Sequence, residues 1–171
     1  MSERPAREML ALLPPDTGRD LYGIHQAVWK AVAPHLRDGR AFIFWMTDPT
    51  CARVRSEHFG VGRPQLLRDG WLSTSLVTAL RSKSGMRAVD DANLGPWLDR
   101  LAGENGLRLI DFSAKPLRFV RGHKGRLGIT ITLPVRDVRM RVKIEQRAKA
   151  ELAWHRGIGR GKRFGFGMLR A

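Results

Sequence analysis

Apolar and polar positions change period several times along the 171 residues, and each change marks an element. Residues 8–13 (EMLALL) form a short apolar run stopped by Pro14 and Pro15, which predicts a first strand running into a turn. From Leu21 the spacing becomes helical. Leu21, Ile24, Val28 and Val32 recur at three and four residues, Asp20 stands where a cap is needed, and Pro34 and the RDGR turn at 37–40 close the segment. Residues 41–47 (AFIFWMT) are rich in strand formers. Asp48-Pro49 then turns the chain into residues 51–57 (CARVRSE), where Ala52 and Val54 alternate with Arg53 and Arg55, predicting a β-hairpin. The Gly-, Arg- and Pro-rich stretch 59–70 leaves little room for a long helix and predicts a domain boundary.

A second round follows the same order. Leu72, Thr74, Leu76, Thr78 and Leu80 alternate through residues 71–80, a polar segment spans 82–93, and a helix is predicted from Pro96 to Asn105 with Gly106 closing it. Strands are predicted at 107–112, 117–121, 127–133 and 138–145, a last helix at 146–155, and a final strand at 164–170. Strand, helix, strand, strand, then the same again, reads as an α+β protein of two tandem ferredoxin-like units. Residues 1–70 form the first unit, abbreviated by loss of its later helix, and residues 71–171 form the second. The repeat is one of architecture, since the two rounds share no residue pattern.

Charge sharpens this picture. Residues 115–171 carry sixteen Lys and Arg against three acidic side chains, so that third of the chain holds +13 of the +15 formal charge. A positive field localised in this way favours a polyanion, because each neutralised phosphate releases counterions. Composition excludes other classes. The single Cys51 cannot form an intrachain disulfide, and His25, His35, His58, His123 and His155 lack zinc-site spacing, so neither a structural metal nor a cofactor is expected. No apolar run approaches membrane-spanning length, and the basic residues do not share a helix with an apolar face, so a soluble cytoplasmic protein without a membrane partner is expected.

Two constellations carry candidate chemistry. Gly157, Gly159, Gly161, Gly165 and Gly167 punctuate the run GIGRGKRFGFGML together with Arg156, Arg160, Lys162 and Arg163. A phosphate-binding P-loop needs Gly at Arg156 and Ser or Thr at Arg163, and a dinucleotide fingerprint opens a helix whereas this run closes one. The run is therefore read either as a charged connection or as a loop lying against a phosphate backbone, where the absence of Cβ atoms allows close approach. On the first helix, Tyr22, His25 and Trp29 line one stripe. An imidazole near neutrality can take a proton from a ribose 2′-OH while a phenol positions the phosphate, and the same two residues also fit ordinary packing at a core edge.

Both constellations match one family. DLYGIHQAVWKAV near the N-terminus resembles the Tyr-x-x-His helix, with its following Trp, of the CasE-type CRISPR repeat-RNA endoribonucleases. HRGIGRGKRFGFGML resembles that family's glycine-rich signature, and PWLDRLAGENGLRL resembles its Trp-Leu helix, glycine and strand. The resemblance runs from about residue 8 to residue 170. It implies a metal-independent endoribonuclease that binds the stem-loop of precursor CRISPR RNA. By similarity His25 is catalytic with Tyr22 as its partner, and 2′-OH attack leaves a cyclic phosphate and a 5′-OH. The family's hairpin-tracking strand and loop fall within 115–143, with Arg118, Arg121, Lys124, Arg126, Arg139, Arg141 and Lys143 as RNA-binding candidates beside the glycine-run residues. Alternation in VRMRVK fits a solvated strand face equally well. Mature crRNA and effector-complex subunits are the implied partners, and a non-catalytic RNA-hairpin-binding subunit is the alternative. Arg163 departs from the small residue common at its place in the signature.

Overall fold

The computed structural model describes residues 5–17, 20–37, 41–82, 85–124 and 128–171, with the side chains of Ser82 and Lys124 left aside. The RDGR turn at 37–40 and Arg126 fall wholly or partly outside these residues. The first sheet contains β1 (Arg7–Leu12), β2 (Ile43–Asp48), β3 (Cys51–Ser56) and the two-residue β4 (Arg63–Pro64), in the order β2-β3-β1-β4 with every neighbour antiparallel. Helix α1 (Leu21–Val32) lies against it, Val28 and Val32 packing on Ala11, Phe44, Ala52 and Val54. This is the ferredoxin-like strand order without its second helix, the direct consequence of the helix-poor stretch at 59–70.

The second unit repeats the order around β5 (Gly70–Val77), α2 (Asp91–Glu104), β8 (Leu107–Ala114), β10 (Ile129–Ile144) and α3 (Arg147–Arg156). Its sheet runs β5-β10-β8, with α2 and α3 covering Leu72, Leu76, Val138, Met140 and Val142. Strand β9 (Arg118–Lys124) pairs with the first half of β10 to form a long hairpin. A third cluster joins the units. Leu21 from α1 packs with Val77, Leu133, Val135, Phe164 and Phe166.

Four expectations are corrected. Alternation through residue 80 does not extend one strand: β5 ends at Val77, and the polar segment forms its own hairpin of β6 (Ala79–Ser82) and β7 (Gly85–Ala88). Thr78 remains hydrogen-bonded through the turn, donating to the Pro134 carbonyl and accepting from Val89 N–H. Helix α2 begins at Asp91 instead of Pro96, because Asp90 accepts from Asn93 N–H at 2.9 Å and caps it earlier. The two strands predicted either side of Pro134 are one strand of 16 residues. Pro134 is tolerated because it stands where β10 passes from its β9 pairing to its β5 pairing. Finally, residues 164–170 make a single bridge, Arg170 to Ser73, in the place of a fourth strand. Positive φ at Gly165 (85°) and Gly167 (83°) prevents a regular ladder.

One interaction ties the sheet of the first unit to the second. Arg55 on β3 is 1% exposed, its Nε donates to Glu8 Oε1 at 2.9 Å, its Nη1 donates to the Trp154 carbonyl at 2.8 Å, and its guanidinium lies 3.6 Å from the Trp154 ring centroid.

Candidate functional site

Asp20 anchors the start of the site. One carboxylate oxygen accepts from Gly23 N–H at 3.1 Å and caps α1, while the other accepts from His123 N–H on β9. The cap was legible as a sequence signal; its second bond, across 103 residues, was not. Together they fix the first turns of α1, which carry Tyr22 and His25, against the β9-β10 hairpin.

His25 is half-buried and stacks on Phe42 at 5.9 Å between centroids and an interplanar angle of 14°, and Trp29 also stacks on Phe42 at 5.9 Å and 20°. Its Nδ1 is buried and makes no hydrogen bond among the described residues. Burial holds the imidazole below the ordinary histidine value of 6.5. The Arg163 main chain opposes this, although no hydrogen bond of good geometry reaches Nδ1, and the Arg163 guanidinium adds to the lowering. Tyr22 meets Phe164 edge-on at 4.9 Å, and the Arg163 guanidinium lies 5.9 Å from the Tyr22 ring and 4.8 Å from Phe164. A base of lowered pKa, a phenol ring and a cation thus converge from two ends of the chain. That set is suited to taking a proton from a hydroxyl beside a phosphate. Phe42 as the support for His25 escaped the sequence reading, since it lies one residue before β2 and outside the α1 periodicity.

The glycine run is mostly interior. Gly157, Gly165 and Gly167 are buried, and all five glycines have positive φ. A Cβ on Gly157 would meet Ile43 at 2.1 Å, on Gly161 Val77 at 2.8 Å, on Gly165 Phe44 at 2.8 Å, and on Gly167 the Ile158 carbonyl oxygen at 2.0 Å. The glycines therefore let the segment fold tightly between the two sheets, with Ile158, Phe166, Met168 and Leu169 buried. Contact with a partner falls to the side chains that remain outside, Arg156, Arg160, Lys162 and Arg163. Burial, and secondarily Arg156, holds the Lys162 ammonium below its ordinary value. Gly167→Ala is expected to destabilise the fold by about 1–3 kcal/mol, since its carbonyl neighbour cannot rotate away. Gly159→Ala, with nothing closer than 3.8 Å, loses only about 1 kcal/mol to backbone strain. Equal unfolding midpoints for the two variants would contradict this account.

The remaining basic candidates divide between two faces. Arg121 and Lys124 lie on β9, the hairpin tied to α1. Arg139, Arg141 and Lys143 are exposed on the face of β10 opposite the helices, alternating with buried Val138, Met140 and Val142. Arg118 reaches Asp137 at 3.4 Å toward that same face.

Comparisons with known proteins bear on the whole chain. No family model matches it, and no curated protein matches it. Among solved structures, it resembles Thermus thermophilus Cse3 bound to an RNA representing a pre-cleavage complex, with TM-score 0.75 and 20% identity over 97% of this chain and 98% of that one. A structure of CRISPR endoribonuclease Cse3 bound to 19 nt RNA gives TM-score 0.74 and 19% identity over 96% and 98%. The CRISPR-associated protein Cas6e of Escherichia coli K-12 gives 0.62 and 16% over 96% and 97%. The chain has, nearly end to end, the fold of the Cse3 and Cas6e proteins, the fold expected from its glycine-rich signature and Tyr-x-x-His helix.

Proposed function

We propose that this chain is a CRISPR endoribonuclease that binds the repeat stem-loop of precursor CRISPR RNA and cleaves it without a metal. The observation that carries the reading is the meeting of His25 and Tyr22 with Arg163 and Phe164, two motifs separated by most of the chain. In this reading neutral His25 removes the 2′-OH proton and the oxygen attacks the adjacent phosphorus. Arg163 stabilises the charge developing on the phosphoryl oxygens, and the bond to the leaving 5′-oxygen breaks as that oxygen takes a proton from the Tyr22 phenol, which the His25 imidazolium then replaces. The products are a 2′,3′-cyclic phosphate and a 5′-OH, and no residue becomes covalently attached. The exposed Arg121 on β9 and Arg156, Arg160 and Lys162 in the glycine run are the basic side chains that meet the RNA backbone in this reading. The division at residue 70 follows the two strand rounds, the first unit supplying the base and the second the cation. The solved neighbours include a CRISPR RNA-guided surveillance complex, which supports a place for this chain in an effector assembly, still holding its product hairpin.

Incubating the purified protein with a repeat stem-loop in EDTA tests the reading: one site-specific cut with a cyclic phosphate end is expected. Binding without scission would leave the alternative, a non-catalytic hairpin-binding subunit. Two measurements refine it. Because burial holds His25 below the ordinary histidine value, the single-turnover rate should rise with pH as the imidazole loses its proton, with a midpoint below 6.5, and then level off. Arg163→Ala should move that inflection upward, since the guanidinium lowers it; an unmoved inflection would place the cation away from the base. Neutralising Arg160, Lys162 and Arg163 together should lower the salt slope of hairpin binding by about 2 units, at roughly 0.7–0.9 per lost phosphate contact. An unchanged slope would remove the loop from the interface.

A further inference from the structure

The helix-free faces of the two sheets form a second surface, distinct from the His25 site. His25 approaches Phe42 and Phe44 from the α1 side of the first sheet, whereas the next residue, Trp45, alternates to the opposite face. Strand pairing there sets Leu10, Arg53 and Trp45 side by side. In the second sheet, pairing sets Ser73, Arg139 and Ser113 side by side. Arg170 links the two rows, bridging to Ser73 through its backbone and lying 3.7 Å from the Trp45 ring centroid. The result is one transverse row across both sheets that contains three arginines, with Glu8 3.8 Å from Arg53 and Asp137 beside Arg170 as its acidic neighbours among the described residues. Beside it, Arg139 lies 4.8 Å from the ring centroid of Trp71, which is 39% exposed. A cleft of about 490 Å³ opens along the row, lined also by Ser75, Lys115 and Asp137.

We propose that this row, with the cleft along it flanked by Trp71 and Arg53, is a second nucleic-acid surface that takes single-stranded RNA, bases stacking on Trp71 and the arginine planes while phosphates meet Arg53, Arg139 and Arg170. Exposed sheet faces with aromatic rings and guanidinium planes hold unpaired bases, since every base has a π-face, and a basic groove tracks the backbone. The serine hydroxyls of residues 73 and 113 supply donors and acceptors for ribose and base edges, while Ser75 donates to Asp137. A protein partner would find little aliphatic surface to bury here, since the floor of the row is arginine and serine with tryptophan at its edges. In this row the exposed apolar side chain is Leu10 at its rim. The proposal rests on the RNA reading above, the occupant being the unpaired nucleotides that flank a bound hairpin.

The test uses the full chain and two probes: a 5′-labelled oligouridine with no hairpin, and the isolated repeat stem-loop. Trp71→Ala combined with Arg53→Ala should weaken oligouridine binding at least tenfold, within the range of about 5- to 150-fold that loss of one stacked base produces. Stem-loop binding and scission should stay within twofold, which also reports that the variant is folded. Trp71→Phe, which keeps a ring, should retain most of the oligouridine affinity. Unchanged oligouridine affinity in the double variant would overturn the proposal, as would failure of the parent protein to bind oligouridine or equal binding of a poly-glutamate peptide. Oligouridine bound through Trp71 and Arg53 by a protein that leaves the stem-loop intact would sink the nuclease reading and spare this one.

Discussion

His25→Ala should lower single-turnover scission of a repeat stem-loop by about 10²- to 10⁴-fold while leaving its affinity within a few-fold of the parent. The imidazole is the candidate base beside Tyr22, Arg163 and Phe164. It stacks on Phe42, and its buried Nδ1 has no hydrogen bond of good geometry among the described residues, the Arg163 main chain being its nearest polar partner, so its removal breaks little of the polar network. A structural histidine would behave differently. The measurement therefore pairs rate with unfolding midpoint: a large loss of rate at nearly constant stability is the expected result. A parallel fall in both would return His25 to the ordinary packing role that its spacing also allows.

Glu8→Ala should destabilise the chain by about 3–5 kcal/mol, the larger stability effect predicted for this fold. Arg55 is buried, its guanidinium pushed below its ordinary value by burial and held up chiefly by Glu8. Removing the carboxylate leaves a buried cation whose remaining described hydrogen-bond acceptor is the Trp154 carbonyl. Replacing both partners, Glu8→Leu with Arg55→Met, should recover much of the loss, because the desolvation cost of the two charges disappears with them. The recovery stays incomplete, since Trp154 O then loses its donor. Denaturant unfolding of the two variants separates the cases. If the single substitution cost less than about 1 kcal/mol, the pair would be behaving as an exposed ion pair.

These predictions draw unevenly on what was legible in the chain. The α1 stripe, the Asp20 cap and the β2-β3 hairpin follow from local periodicity, and the structure contains them with boundaries shifted by a residue or two. Local signals misled where a residue's cost depends on its neighbours. Pro134 breaks a strand only if its missing N–H belongs to a ladder, and here it stands at a change of partners. Pro96 opens a helix by propensity, yet the Asp90 cap sets the start at Asp91, five residues earlier. The glycine run looked suited to lying against a phosphate because its composition is open, but nothing in a composition says which atoms fill the space beside each Cα. In the fold that space holds Ile43, Phe44, Val77 and the Ile158 carbonyl.

The amino-acid order alone was enough to place a basic third beside a Tyr-x-x-His helix, to repeat one strand and helix pattern twice, and to pair two motifs with one family's signature. Those are properties of spacing and charge, which survive without coordinates. Folding was needed to bring Arg163 to Tyr22 and His25, to set Phe42 behind the imidazole, and to line up Arg53, Trp45, Arg170 and Arg139 on the face away from it. Each of these depends on strand register or on contacts across long stretches of chain, and a one-residue slip in register would turn every side chain on a strand to the other face.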